Sequence, residues 1–439
     1  MGYHEDIIKA ARARGAVAEC WMLDRRMVEY VIRDGEVERF GRTGVQRANV
    51  SARVGLREGY VSCSADTDPD QIVDAAIMTA NTLPAAAEAL TRTPRTEDVT
   101  GPPLDGTDLA SERLQELAKA SQPTQDSNVE LRLHGEERTV FLTDTDGLDL
   151  TYRTYLATAT ARVTVRGAAV AQLTQDYFAP SLQALSHRLC GGELDAQTEH
   201  TRLLSRVSQP LEHPVRRVLV HGRVASRVLS LLCQAVGVDA VSQRRSALAT
   251  LTGTAVASPR LSVTDDMNDP RCPLRVPWDD EGTPIARVPL IEAGLLQRFL
   301  ADHRYAQKAG TDRTGSGWRG EGGEMPTIRP GCLLFDFDSP AVSAQDALVR
   351  DGEPVLYIVQ ANGMHMANDV TGEFSFAASG LLHQVDGRVT TVDGLTVAGN
   401  VYDLLRTVEE HDGNEVLWRH ELSFVSSPGI WASCLAVGQ

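Results

Sequence analysis

The residues best placed to do chemistry sit in a few short stretches. Leu231-Leu232-Cys233-Gln234-Ala235-Val236-Gly237-Val238-Asp239 is an apolar run holding one thiol and one amide. A thiol there is a nucleophile only if a base or a positive charge lowers its pKa; a buried structural cysteine fits the same residues. Asp279-Asp280-Glu281 offers three adjacent carboxylates. Neighbouring side chains on extended backbone point to opposite faces, so the run reads as a charged turn entering a hairpin rather than as a metal cluster. His303 and Tyr305 have acid/base side chains, but Asp302-His303-Arg304-Tyr305 also reads as a structural turn. Gly315-Ser316-Gly317-Trp318-Arg319-Gly320 spells GxGxxG. A dinucleotide site needs a strand just before it and a helix just after, and this Gly/Pro-rich stretch offers neither. Neither a GxSxG nor a P-loop pattern occurs.

These residues need a scaffold, and the chain is long enough to build one. Its 439 residues predict two or three domains, and 42% hydrophobic with 23% charged residues is an ordinary globular balance. A net charge of −16 argues against a nucleic-acid partner, which calls for a basic face. With no apolar run of membrane-spanning length and a charged, amphipathic start, the sequence predicts neither a membrane span nor a secretory signal. The seven scattered cysteines form no CxxC pair and read as free thiols in a reducing cytoplasm.

Local patterns outline an α+β chain. Residues 3–14 have helical spacing, Asp34-Gly35 between apolar runs marks a hairpin, and Asp68-Pro69 opens a helix through Asn81. Residues 83–105 read as a Pro/Ala-rich linker. A second unit follows, with a helix over 108–121, strands over 129–143, 148–165 and 168–175, and further helices. The expected domains are 1–209, made of two units (1–85 and 106–209), and 210–439. The second is β-rich around one helix over Val224–Val236.

Several stretches resemble the TldD/PmbA family of bacterial peptidases, in the family's order. They include Val31 to Glu38 and Asp68 to Ala76. A longer one runs from Trp278-Asp279-Asp280-Glu281-Gly282-Thr283-Pro284 through Leu290-Ile291-Glu292-Ala293-Gly294 to Asp302, Ala306, Gly310 and Thr314-Gly315. Further along come Gly372-Glu373-Phe374-Ser375, Thr396-Val397-Ala398-Gly399-Asn400 with Asp403-Leu404-Leu405, and Ser426-Ser427-Pro428 to Gly438.

Active members of that family carry HExxxH on a helix, where histidines grip zinc and the glutamate serves as base toward the metal-bound water. Here Cys233 stands at the first His, Gln234 at the Glu and Val238 at the second His, while Phe424 to Pro428 replaces the loop with the later cysteine ligand. An amide is no base near neutral pH and an isopropyl group has no lone pair. The resemblance therefore implies a TldE-like subunit that binds no zinc itself. Its expected partner is a zinc-bearing TldD-type subunit, and the pair would act on peptide or peptide-like amides, with natural-product maturation one setting. It also places the loop holding Met364, His365, Asn368 and Asp369 near the substrate channel, as candidates for contact with substrate or partner. Two rivals remain open: a partner-independent scaffold homodimer, and a hydrolase using a non-zinc site such as Cys233.

Overall fold

The computed structural model describes residues 2–84, 94–100, 109–320, 325–364 and 367–438. The chain is a mixed α+β protein. Its N-terminal half opens with helix α1 (Tyr3–Ala13), followed by strands β1 (Val17–Arg33), β2 (Glu36–Val54) and β3 (Arg57–Ser64). Asp34 and Gly35 take φ of 51° and 80° between β1 and β2, the left-handed pair that matches the twist of a two-residue hairpin. Helix α2 (Pro69–Thr82) starts where the Asp68 carboxylate accepts the Asp70 N–H at 2.9 Å. It packs so closely on β3 that a Cβ on Gly59 would lie 2.2 Å from the Ala80 nitrogen.

Strand β4 (Arg95–Val99) comes next, then α3 (Ser111–Ala120), β5 (Ser127–Asp144), β6 (Leu148–Arg166), β7 (Val170–Ala179), α4 (Leu182–Arg188) and α5 (Leu194–Leu204). The two separate units expected from the sequence are in fact one seven-stranded sheet. β1 pairs antiparallel with β5 from Glu19↔Asp144 to Arg33↔Glu130, which joins the two units through one pair of long strands. Within the expected linker, Arg95–Val99 is a strand lying parallel to β6; residues 85–93 and 101–108 fall outside the described residues.

Strand alternation divides the work of the sheet. Cys20, Met22, Tyr30 and Ile32 of β1 face the helices, packing with Ile7, Ile8 and Val73 at one end and Leu182 and Leu185 at the other. Trp21 and Leu23 face the opposite way. With Val140, Leu142, Leu150 and Tyr152 they meet Met267, Trp278, Leu334 and Phe424 of the C-terminal half in one buried cluster.

The C-terminal half begins with β8 (Arg217–Val220), α6 (Gly222–Leu229), α7 (Leu232–Ala235) and α8 (Val238–Ser242). It continues with β9 (Leu261–Asp265), β10 (Val288–Glu292), β11 (Leu295–Leu296), α9 (His303–Ala309), β12 (Gly317–Trp318), β13 (Thr327–Ile328) and β14 (Cys332–Phe337). Then come α10 (Ala344–Asp351), β15 (Val355–Asn362), β16 (Glu373–His383), β17 (Val389–Asn400), α11 (Val401–Thr407), β18 (Val416–His420), β19 (Ser423–Ser427), β20 (Ile430–Ala432) and β21 (Ala436–Gly438). Two six-stranded sheets result, in the orders β20-β8-β15-β16-β17-β21 and β11-β10-β9-β14-β19-β18. Their shared core holds Val218 and Ile358 of the first, Val263 and Phe335 of the second, and Val224, Val228 and Leu232 from the helices between.

The single helix expected over Val224–Val236 is two helices, α6 and α7, with Ser230 and Leu231 as a turn between them, and the chain breaks again before α8. Gly237 is extended (φ −90°, ψ 141°), Leu300 N–H donates to Val236 O at 2.8 Å, and Val238 N–H donates to Leu300 O at 2.9 Å. Backbone groups that would continue the helix are thus spent on the 300 segment. No helix among the described residues is long and apolar enough to cross a membrane.

Candidate functional site

Cys233 and Gln234 lie on the four-residue α7, and Val238 opens α8 beyond the break. Cys233 is 4% exposed, and burial pushes its thiol well above the usual range. A thiolate is therefore scarce at neutral pH, so a nucleophilic role has no support here. Val238 packs into the same apolar core. A buried thiol, a half-buried amide and an isopropyl group do not fit a tetrahedral zinc site. Among the described residues no three His, Cys, Asp or Glu side chains gather closely enough to hold a metal ion. Where a cysteine ligand would follow, Ser426 sits on β19 and its hydroxyl donates to Glu415 Oε2 at 2.7 Å.

Of the polar residues in this helical region, Arg227 and Gln234 are half-buried and Ser230 is buried. Ser230 Oγ donates to Arg227 O at 2.8 Å and lies 3.5 Å from His420 Nδ1. The Arg227 guanidinium rests over the Trp418 ring, 5.3 Å from its centroid. In the neighbouring loop, Met364 is buried in the apolar core, so it packs rather than contacts a ligand. Asn368 is a turn former: its Oδ1 accepts the N–H groups of Val370 and Thr371 at 2.9 and 3.0 Å. Asp369 is exposed, and His365 lies outside the described residues.

The acidic run, expected as a charged turn, is a turn and a buried one. Asp279, Asp280 and Glu281 are 1%, 7% and 6% exposed. They diverge. Asp279 accepts the N–H groups of Glu281, Thr283 and Gly317 at 2.8–3.0 Å. Asp280 accepts Trp21 Nε1–H at 2.9 Å and the Arg319 N–H at 2.8 Å, and Glu281 accepts the His303 N–H at 2.8 Å. Burial raises the Asp279 carboxyl to about 7, against the pull of those N–H donors. The GxGxxG stretch is what supplies Gly317 and Arg319 to this node. Arg319 reaches on into the N-terminal sheet, pairing with Glu19 at 2.7 Å and donating to Asn49 Oδ1 at 2.9 Å. A cavity of 70 Å³ between the halves is bordered by Trp21, Tyr152, Met267, Trp318 and Arg319. Sequence reasoning missed Trp21, Glu19 and Arg319; the one available signal was that the acids follow a tryptophan and precede Gly-Thr-Pro in an otherwise apolar setting. Asp302-His303-Arg304-Tyr305 is a capped helix start, with Asp302 Oδ1 accepting the Tyr305 N–H at 2.7 Å.

Residues 215–439 match the PmbA/TldA metallopeptidase C-terminal domain. A metalloprotease of Archaeoglobus fulgidus is 28% identical over 176 residues, 40% of this chain and 40% of its own length. A metalloprotease TldD homolog of Buchnera aphidicola is 26% identical over 162 residues, 36% of this chain and 32% of its own length. The chain thus spans about two fifths or less of the length of these curated relatives. The solved structure of TldE from Thermococcus kodakarensis superimposes with a TM-score of 0.84 over 100% of both chains at 17% identity, a likeness of fold.

Proposed function

The chain belongs to the PmbA/TldD metallopeptidase family, and on that premise we propose that it is the non-catalytic, TldE-like half of a two-chain zinc peptidase or amide hydrolase. The observation that carries this reading is the donor set at Cys233, Gln234 and Val238: a thiol shut into the core, an amide and a hydrocarbon, at the positions where an active member needs two imidazoles and a carboxylate. The frame around them is kept, with α6 to α8 packed between two sheets. A damaged site in an intact frame favours a chain retained for its shape. In this reading zinc and the activated water belong to a TldD-type partner. This chain helps enclose a peptide or peptide-like substrate and stabilises the catalytic half, in natural-product maturation or another cytoplasmic process.

The test mixes the purified chain with a TldD-type subunit carrying HExxxH and follows hydrolysis of a peptide amide. The pair is expected to be active, and this chain alone inactive with or without added zinc. Hydrolysis by this chain alone at the rate of the pair overturns the proposal.

A further inference from the structure

Two of the seven cysteines, far apart in the sequence, are brought together by the fold. Cys332 opens β14, and Cys272 lies in the turn that follows β9. Several contacts hold that turn against the start of β14. Asp265 Oδ1 accepts the N–H groups of Gly331 and Cys332 at 2.9 and 2.8 Å, and the Asp266 N–H donates to Cys332 O at 3.0 Å. Met267 lies so close that a Cβ on Gly331 would be 2.3 Å from its sulfur. The Cys272 N–H donates to Asp269 O at 3.0 Å, which curls the chain back, and Arg271 reaches Asp336 of β14 at 2.7 Å. Cys272 and Cys332 thus share one buried cluster at the contact between the halves, and are 2% and 0% exposed.

The thiols are neighbours within that cluster. The Cys332 thiol is hydrogen-bonded to Cys272, whose own thiol donates to Leu274 O at 3.0 Å. Cys272 first, and burial second, hold the Cys332 thiol far above the usual range, so it is protonated at neutral pH. Such a pair reacts when its surroundings open. Cys233 is fixed in a helix between two sheets, whereas Cys272 sits in a turn whose Asn268 and Pro270 are exposed. Local opening of a short surface turn is far easier than opening the core. The 70 Å³ cavity between the halves is bordered by Met267 and Leu274 on the Cys272 side and by Gly331 on the Cys332 side. Its size suits an oxidant little larger than water.

We propose that Cys272 and Cys332 form a reversible oxidation site, which a hydroperoxide converts to a disulfide that ties the turn after β9 to β14. The Cys272 thiolate, formed as the turn lifts, attacks a peroxide oxygen. The O–O bond breaks, hydroxide leaves and takes up the thiol proton, and a sulfenic acid forms. When the turn closes, the Cys332 sulfur gives up its proton and attacks the sulfenic sulfur; the S–O bond breaks and water leaves. Two thiols lose two electrons and two protons, and hydrogen peroxide becomes two molecules of water. A dithiol reductant reverses the step by exchange. The site is a property of this chain and stands whether or not the chain pairs with a zinc subunit.

The experiment treats the reduced full chain with hydrogen peroxide, blocks the remaining thiols with an alkylating reagent in urea, and maps the peptides by mass. A Cys272–Cys332 cross-linked peptide is expected, about 2 Da lighter than its two thiol forms together. Dithiothreitol should abolish it, and Cys20 and Cys233 should still be alkylated. The urea midpoint of the oxidised chain should rise by on the order of 1 M, because the cross-link closes a loop of about 60 residues in the unfolded chain. Peroxide added after unfolding should give mixed pairings instead. In Cys332→Ser no cross-link should form, and dimedone should trap the sulfenic acid on Cys272. Mapping the unaltered chain needs no variant, so the test stands even where Cys332→Ser fails to fold. Peroxide that leaves both thiols free, sulfoxide at Met267 with the thiols intact, or mixed pairings in the folded chain overturns the proposal.

Discussion

Arg319→Met is the most informative perturbation of the contact between the two halves. The Arg319 side chain is 1% exposed, its partner Glu19 11%, and they meet at 2.7 Å. The guanidinium also donates to Asn49 Oδ1 and lies over Trp21, 5.7 Å from the ring centroid. Methionine fills much of the same volume, so the main loss is electrostatic: a buried Glu19 carboxylate without its cation. Breaking a buried pair from one side costs roughly 3–5 kcal/mol, most of it the stranded charge. Adding Glu19→Gln removes that charge, so the double variant should recover more than half of the loss. Urea unfolding followed by tryptophan fluorescence suits the measurement, since Trp21 and Trp318 border this contact and urea leaves ion pairs unscreened. A chain this long can unfold in more than one step, so the transition to compare is the one these tryptophans report. A loss below about 1 kcal/mol for Arg319→Met, or a further loss on adding Glu19→Gln, would show that the pair does not hold the halves together.

Three further outcomes follow from particular residues. Burial raises the Asp265 carboxyl from 3.8 to about 6; the native state then keeps a proton that the unfolded chain releases, so the Asp265 contribution to stability is fully present below about pH 4 and is lost, about 3 kcal/mol in all, as pH rises through 6. Because Asp265 Oδ1 accepts both the Gly331 and Cys332 N–H groups, Asp265→Asn keeps these bonds and should flatten that slope; an unchanged slope would refute the assignment. With a thiol reagent, exposed Cys190 should react first and buried Cys233 only on unfolding, and mass-mapped early labelling of Cys233 would contradict its place in the core. Gly59→Ala forces a Cβ against the α2 backbone and should cost about 2–3 kcal/mol in urea unfolding, whereas a neutral result would mean that α2 moves aside freely.

What the sequence made legible was local. Asp34-Gly35 and Asp68-Pro69 announced their turn and cap because those conformations depend on the residues themselves. The chemistry of Cys233, Gln234 and Val238 was legible for the same reason, since lone pairs and basicity belong to the side chain. The burial of the acidic run was not legible, because it depends on Trp21 and Arg319, which lie 259 and 39 residues from Asp280. Nor was the turn at Ser230 and Leu231 that divides the helix expected over Val224–Val236. Asp279, Asp280 and Glu281 reach different partners, as a turn allows.

The central claim is that the chemistry of the complex lies outside this chain. The most direct measurement reconstitutes the chain with a TldD-type partner whose HExxxH glutamate has been replaced by glutamine, and compares peptide-amide hydrolysis with that of the unaltered pair. Hydrolysis is expected to disappear while the two chains still associate. Hydrolysis that persists in that complex and is lost in Cys233→Ala would place the reaction in this chain and contradict it.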